Sequence, residues 1–499
     1  MSETSELPIR VRMAPSPTGP LHIGTARTSL YNFLFARHHG GTYVLRIEDT
    51  DLARSTVEQE QDIIDNLHWL GITWDEGPQV ARGDDIGSFA PYRQSMRMDL
   101  YAAEAARLLD SGAAYHCWCT PEELEEVRRQ QEANHEAPRY NGRCLRLTDA
   151  DRAQFEAEDR QPAIRLRVPP EVIRFDDLIR GEVEFDNSLL GDFVIVRASG
   201  VPLYHFVVVV DDEHMDITHV IRGEDHLSNT PKHIALIRAL GYREPRFGHI
   251  PLILNPDRSK MSKRKSQTAI TAYREQGYLP EALVNFLAFL GWSPGTEEEI
   301  FTLDELSQRF DLAHVHKAGA VFDSDRLDYL NGVYIRSLTD EQLALRLRPF
   351  LSDALDDEAV LRVTPLIKER LVRLADAAEL TAFLVETDDE IDAMYDADAL
   401  VPKGRSYVDA ARALAAARDA LDELTAGDFA ADVLETRCRA AAEEMGWKAG
   451  DFFRPLRAAI TGRSVSPPLF GSMELLGRER VLSRLDDALG KVSAEAPTA

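Results

Sequence analysis

Apolar and polar residues alternate over 9–14, the period of a half-buried β-strand, and then the pattern changes. Leu30, Phe33 and Leu34 share one face of an amphipathic helix, and Gly40 is a suitable stop. Residues 42–47 alternate again and are rich in β-branched and aromatic types, which predicts a second strand ending at Glu48 and Asp49. Ser55 with Glu58 makes a capping-box pattern ahead of a helix carrying Ile63, Ile64, Leu67 and Leu70 before Gly71. Strand, helix, strand, helix is the opening of a Rossmann-like α/β sheet, which binds ligands at the carboxyl ends of its strands.

The character changes over 92–204, where helices at 95–109 and 122–131, a cysteine-bearing loop and short strands at 163–168, 182–185 and 193–197 predict an insertion into the α/β layer. The parallel sheet is expected to resume at 205–210, five consecutive apolar residues with Asp211 and Asp212 at the exit, and to continue with a strand at 216–221. Thr230 caps a helix with Pro231 at its first position and Gly241 after it. A charged loop at 257–265 leads to helices at 280–290 and 303–310. Beyond about 330 only helical periodicity is visible, at 340–350, 360–374, 406–421, 428–445, 447–461 and 473–489, with a frayed tail over 493–499.

A chain of 499 residues has room for more than one core. It contains no run of about 18 apolar residues, and its first eight residues are polar and acidic, so a cytoplasmic protein with no membrane span or secretion signal is expected. Four unevenly placed cysteines argue for a reducing compartment, and Cys438 reads as a small buried residue. The 57 basic and 84 acidic residues give a net charge of −27, the wrong sign for holding nucleic acid by bulk charge. Phosphate contacts act locally, within a Debye length of roughly 10 Å. Basic residues do cluster: five lie within 258–265, and Arg437, Arg439, Lys448, Arg454, Arg457 and Arg463 follow.

The loop before the first helix is the candidate for chemistry. A helix start presents unpaired N–H groups and a partial positive charge, and Gly19 and Gly24 let a polyanion approach closely, which puts His22 where a phosphate would lie. The run Pro15-Ser16-Pro17-Thr18-Gly19-Pro20-Leu21-His22-Ile23-Gly24-Thr25-Ala26-Arg27-Thr28 resembles the HIGH signature of class I aminoacyl-tRNA synthetases, and Lys260-Met261-Ser262-Lys263-Arg264 resembles their KMSKS signature. The segments 45–51, 69–71, 74–78 and 221–226 are also similar to bacterial-type glutamyl-tRNA synthetases. The resemblance implies an enzyme that activates L-glutamate with ATP and Mg²⁺, passes it through glutamyl-adenylate to the 3′ end of tRNA(Glu), and releases AMP and pyrophosphate.

It also assigns roles. His22, Lys260 and Lys263 become the catalytic set. ATP would be held by Pro15, Ser16, Pro17, Thr18, Gly19, His22, Gly24, Thr25 and the signature residues Lys260, Met261, Ser262, Lys263 and Arg264. Glutamate would meet Arg12 and Arg222 as bidentate guanidinium partners, with Ala14, Ser16, Glu48 for its ammonium group and Tyr204 closing the pocket. The expected layout is a Rossmann-like catalytic domain split over 1–91 and 205–252, an α+β connective insertion at 92–204 that holds the acceptor end, a helical linker domain at 253–335 and an all-α anticodon-binding region at 336–499 divided near 400.

Cys117, Cys119, Tyr140 and Cys144 resemble the zinc ligands of truncated glutamyl-queuosine paralogues, while Arg146 stands where some glutamyl enzymes have a histidine ligand. Zinc or free structural thiols are the alternatives there. A glutamyl-queuosine tRNA-modifying paralogue and a catalytically silent tRNA-binding module are the competing functions; the long helical C-terminal region argues against the first, and intact His22, Lys260 and Lys263 against the second. The resemblance implies a monomer. Whether tRNA(Gln) is charged as well is left open by the sequence.

Overall fold

The computed structural model describes residues 7–261 and 268–495, which fall into two compact units. The first unit runs to Tyr273 and takes in Pro280–Ser324; the second contains Arg274–Leu279 and the chain from Asp325 onward. No described helix is long and apolar enough to cross a membrane.

In the first unit Arg10–Met13 pairs in parallel with Thr42–Leu45, and His219–Gly223 pairs in parallel with Arg246–Ile250. The Arg10 N–H donates to Thr218 Oγ1 at 2.8 Å and the Thr218 N–H to the Arg10 carbonyl at 3.0 Å, so the two pairs lie side by side. The crossovers are the helices Ile23–His38 and Thr230–Leu240. The first of these is buried on nearly every side, with Tyr31 and Leu34 fully covered, so the one-sided amphipathic stripe expected of it is not found. The α/β layer therefore opens with the predicted strand, helix and strand, gains a strand at Arg246–Ile250 that the pattern did not predict, and carries the loop ahead of Ile23 at its carboxyl edge.

The run at 205–210 is not a strand. Residues Tyr204–His214 form a helix in which Val207 to Asp212 are all buried. A short apolar run buried on all sides reads identically in either conformation, and only packing decides. Consecutive residues on a helix point about 100° apart rather than to opposite faces, so Asp212 bonds Arg12 and Arg46 while Asp211 bonds Arg97, with Arg46 between the two carboxylates, 3.6 Å from Asp211. The strand expected at 216–221 starts later, at His219, because Asp216 takes a left-handed backbone (φ 54°) that turns the chain. Two caps also shift. Thr56 rather than Ser55 caps Val57–Trp69, accepting from the Gln59 N–H at 3.2 Å, and Asn229 rather than Thr230 precedes the helix Thr230–Leu240.

The inserted segment forms a three-stranded antiparallel sheet from Ala114–Cys117, Ala163–Leu166 and Phe193–Val196, flanked by the helices Met98–Asp110 and Pro121–Ala133. The pattern missed the hairpin strand Val172–Asp177, which pairs with Gly181–Asp186.

The second unit contains no strand among its described residues. Its core gathers Leu414, Leu434, Phe452, Leu456, Val481 and Leu485 from Tyr407–Asp422, Ala431–Glu444, Ala449–Thr461 and Arg478–Glu495. The single helix expected at 473–489 is two, Leu469–Leu476 and Arg478–Glu495, broken at Gly477, whose positive φ of 83° ends the first. Residues 493–495 belong to the last helix instead of a frayed tail.

Candidate active site

The loop entering the first helix is pinned by backbone bonds. The Glu48 N–H reaches the Pro15 carbonyl at 2.9 Å, the Thr56 N–H reaches that of Pro17 at 3.1 Å, and the Leu21 N–H donates to Asp62 at 2.7 Å. His22 is the helix cap. Its Nδ1 accepts from the Gly24 and Thr25 N–H groups at 3.2 and 3.3 Å, which leaves the ring proton on Nε2 to meet Thr25 Oγ1 at 2.8 Å. A Cβ on Gly24 would sit 3.1 Å from His22 Cε1, so glycine at this position lets the ring fold back over the helix start. The Ile23 N–H is taken by the Thr268 carbonyl at 2.8 Å. The unpaired N–H groups expected for a polyanion are thus already occupied, two of them by the histidine itself.

Above this loop opens a cleft of about 700 Å³. Its lining includes Arg12, Ala14, Pro15, Ser16, Thr18, Gly19, His22, Gly24, Thr25, Glu48, Tyr204, Arg222, Lys260 and Met261, so nearly every site residue expected from the sequence meets in one place. Pro17 is buried behind the loop and does not line it. Ser262, Lys263 and Arg264 lie outside the described residues. Lys260 Nζ stands 3.4 Å from Asp225 Oδ2 on the rim.

Behind Arg12 and Glu48 lies a buried ion network that the pattern of the chain does not show. Arg12 forks onto Asp212 at 3.0 and 3.3 Å; Arg46, with no exposed side-chain surface, bonds the same carboxylate at 2.8 Å and stands 3.6 Å from Glu48. On the adjacent helix position Asp211 accepts from Arg97, Gln94 and Tyr101 at 2.8–3.0 Å. Burial alone would raise the Asp212 pKa, but the guanidinium groups of Arg12 and Arg46 outweigh it and hold the carboxyl below its ordinary range. Glu48 goes the other way: burial, only partly offset by Arg46 and Arg12, pushes it up to about 7.

Arg222 has different company. Its Nε donates to His249 Nε2 at 3.1 Å, Nη1 meets His233 Nδ1 at 3.0 Å, and Nη2 reaches Thr230 Oγ1 at 2.9 Å and the His226 carbonyl at 3.3 Å. Every one of these partners is neutral: burial and then the Arg222 charge depress His233, burial lowers His249 against the opposing contact with Asp177, and the other two are a hydroxyl and a backbone carbonyl. The ion pair with Asp225 or Glu224 that would make Arg222 merely structural does not form; Glu224 pairs with Arg180. Four of its five N–H groups are committed, so the bidentate fork expected of it is reduced to one N–H on Nη1, while Arg12 keeps both Nη1 protons clear of Asp212. Tyr204 Oη closes the side at 3.2 Å from His226 Nδ1, which also faces Asn229 at 3.3 Å.

Away from the cleft, the Sγ atoms of Cys117, Cys119 and Cys144 lie within 4.8 Å of one another. Tyr140 Oη stands 3.6 Å from both Cys117 and Cys119 and accepts the Cys144 N–H at 2.9 Å. Sulfurs sharing a tetrahedral zinc at ~2.3 Å are about 3.8 Å apart, so the set fits such an ion. Hydrogen bonds within the set lower the Cys117 thiol and raise Cys119, so a single thiolate shared among the sulfurs is favoured. Cys438, in the second unit, is buried, as expected.

Residues 8–329 match the family described as tRNA synthetases class I (E and Q), catalytic domain, and residues 342–489 match an anticodon binding domain. The glutamate–tRNA ligase of Desulforudis audaxviator is 45% identical over 98% of this chain and 98% of its own length. That of Acidothermus cellulolyticus is 48% identical over 96% and 94%. Among solved structures, a glutamate tRNA ligase from Elizabethkingia meningosepticum in complex with its amino acid superposes with a TM-score of 0.83 at 34% identity, covering 97% of this chain and 99% of that one.

Proposed function

This chain belongs to the glutamate–tRNA ligases of the class I synthetase family, and from that premise we propose the division of labour among its residues that follows. The enzyme joins glutamate to tRNA. Activation is an in-line attack of the glutamate α-carboxylate on the α-phosphorus of ATP, giving glutamyl-adenylate and pyrophosphate; the acyl group then passes to the 3′ end of tRNA(Glu) with loss of AMP. Negative charge gathers on the phosphate oxygens in the transition state, and the protein supplies donors and cations around them. His22, carrying its proton on Nε2, serves one side; Lys260 and Lys263 serve the pyrophosphate from the other. The remaining ATP contacts come from the loop around Thr18 and Gly19 and from the signature after Met261. Mg²⁺ accompanies the nucleotide as a largely water-held partner of its phosphates.

The observation that carries the glutamate assignment is the neutral shell of Arg222. A buried guanidinium with no carboxylate leaves a net positive charge facing the cleft, and the side-chain carboxylate of glutamate answers it. Arg12, already neutralised by Asp212, contributes donors rather than charge; Ala14 and Ser16 line the backbone side, Glu48 takes the ammonium group and Tyr204 covers it. Residues 336–499 read the anticodon, 92–204 hold the acceptor end, and 253–335 link the KMSKS segment to a catalytic domain formed by 1–91 and 205–252. The truncated tRNA-modifying paralogue falls away because the anticodon-binding match covers 342–489. Cys117, Cys119, Tyr140 and Cys144 would hold zinc as a structural ion. The enzyme acts in the cytoplasm as a monomer.

The test is aminoacylation of separately purified glutamate and glutamine tRNAs with labelled glutamate and ATP. Charging of tRNA(Glu) is expected; charging of tRNA(Gln) too would mark a non-discriminating enzyme, and charging of neither would end the reading. In the same assay Arg222→Ala should raise the KM for glutamate at least tenfold, the scale of a lost charge-assisted bond.

A further inference from the structure

Asp177 ends the hairpin strand Val172–Asp177, and neither it nor His249 lines the cleft. Both side chains are without exposed surface. Asp177 Oδ1 accepts the N–H groups of Ile179, Arg180 and His249 at 3.0, 2.9 and 3.2 Å, which fixes the carboxylate; its Oδ2 stands 2.5 Å from His249 Nδ1. On the far side of the ring, Nε2 faces two donors, the Arg222 Nε–H and Thr230 Oγ1, each at 3.1 Å. A guanidinium can only donate, so Nε2 must present a bare lone pair and the ring proton must lie on Nδ1. The carboxylate enforces that arrangement. The other flank of Arg222 obeys the same logic: its Nη1 donates to His233 Nδ1, which sends the His233 proton to Nε2 and on to His205 Nδ1 at 3.1 Å.

The geometry points to Asp177 and His249 as positioning residues for glutamate recognition: Asp177 sets the tautomer of His249, and His249 sets the orientation of the Arg222 guanidinium that meets the substrate side chain. Neither touches substrate. The inference rests on the reading of Arg222 as the receptor for the glutamate side chain, and its test is built to separate the two.

Asp177→Asn keeps the acceptor for the three backbone N–H groups but turns an amide N–H toward His249 Nδ1. The ring proton then moves to Nε2 and opposes the Arg222 Nε–H. In the full-length enzyme, assayed by tRNA-dependent pyrophosphate exchange, the KM for glutamate should rise about tenfold while kcat and the KM for ATP stay within about twofold. Adding His249→Gln, whose side-chain carbonyl accepts from Arg222 without help from Asp177, should bring the glutamate KM back to within about threefold of the parent. If Arg222→Ala raises the glutamate KM and Asp177→Asn does not, the positioning role is overturned and the Arg222 reading stands; if neither does, the Arg222 reading itself fails. Matching losses in kcat and in every KM, without rescue, would reduce Asp177 to a structural residue and overturn the proposal. Should Asp177→Asn not fold, ¹⁵N imidazole shifts of the parent enzyme decide: His249 protonated on Nδ1 supports the relay, and protonation on Nε2 overturns it.

Discussion

Glu48 is the residue whose environment makes the sharpest demand. It must be ionised to meet an ammonium group, yet burial lifts its pKa to about 7. A carboxyl is charged above its pKa, so glutamate binding should strengthen as pH rises through 7, and the KM for glutamate should fall over that interval. Glu48→Gln should bind glutamate more weakly and lose that pH dependence; a profile unchanged by the substitution would refute its role toward the ammonium group. Asp212 makes the opposite demand, since its charge holds two buried guanidinium groups. Asp212→Asn should cost about 3–5 kcal/mol in urea unfolding, because removing one member of a buried ion network leaves the others uncompensated. The residues on the cleft wall were legible from the chain because they cluster in two signatures and short segments around them. Asp212, Arg46, Asp177 and His249 were not: their partners lie 72 to 200 residues away, and a charge in an apolar run carries no mark of what it will meet.

Among elements, the helix Tyr204–His214 shows where pattern reading stops. Its strand-like sequence is buried either way, and in the helix Asp211 meets Arg97 and Asp212 meets Arg12 while Arg46 stands between them. The first helix was legible in place and length, but its cap was not, because histidine is an uncommon cap and the expected vacancy at the helix start is filled by the ring itself. His22 thus has two jobs that substitution can separate. His22→Asn, a good cap, should keep fold stability within about 0.5 kcal/mol while abolishing most of the pyrophosphate exchange; His22→Ala should lose the exchange and about 1 kcal/mol of stability as well. Equal stabilities for the two variants would refute the capping role. In the inserted segment, Cys144→Ser should lower zinc content, measured by elemental analysis of the purified protein, below that of the parent; a parent free of zinc would leave the three thiols as packing groups.

For the molecule as a whole, the helical second unit and the opening strand, helix and strand of the first were readable from periodicity, whereas the net charge of −27 taken by itself would have excluded a polyanionic partner. Binding a tRNA against that charge requires local basic contacts, so the logarithm of the apparent tRNA affinity should fall linearly with the logarithm of salt concentration, at about 0.7–0.9 per phosphate contacted. A flat dependence would mean that tRNA is held without phosphate contacts. The neutral shell of Arg222 has a consequence for the entire fold. An empty pocket keeps a buried positive charge with no carboxylate bonded to it, which penalises the native state; occupation by an anion relieves it. Thermodynamic linkage then turns the pocket into a thermometer of its own specificity: free glutamate at one hundred times its dissociation constant should add about 2.7 kcal/mol to unfolding and raise the melting temperature. Glutamine, alike in shape but uncharged, should leave that temperature nearly where it was.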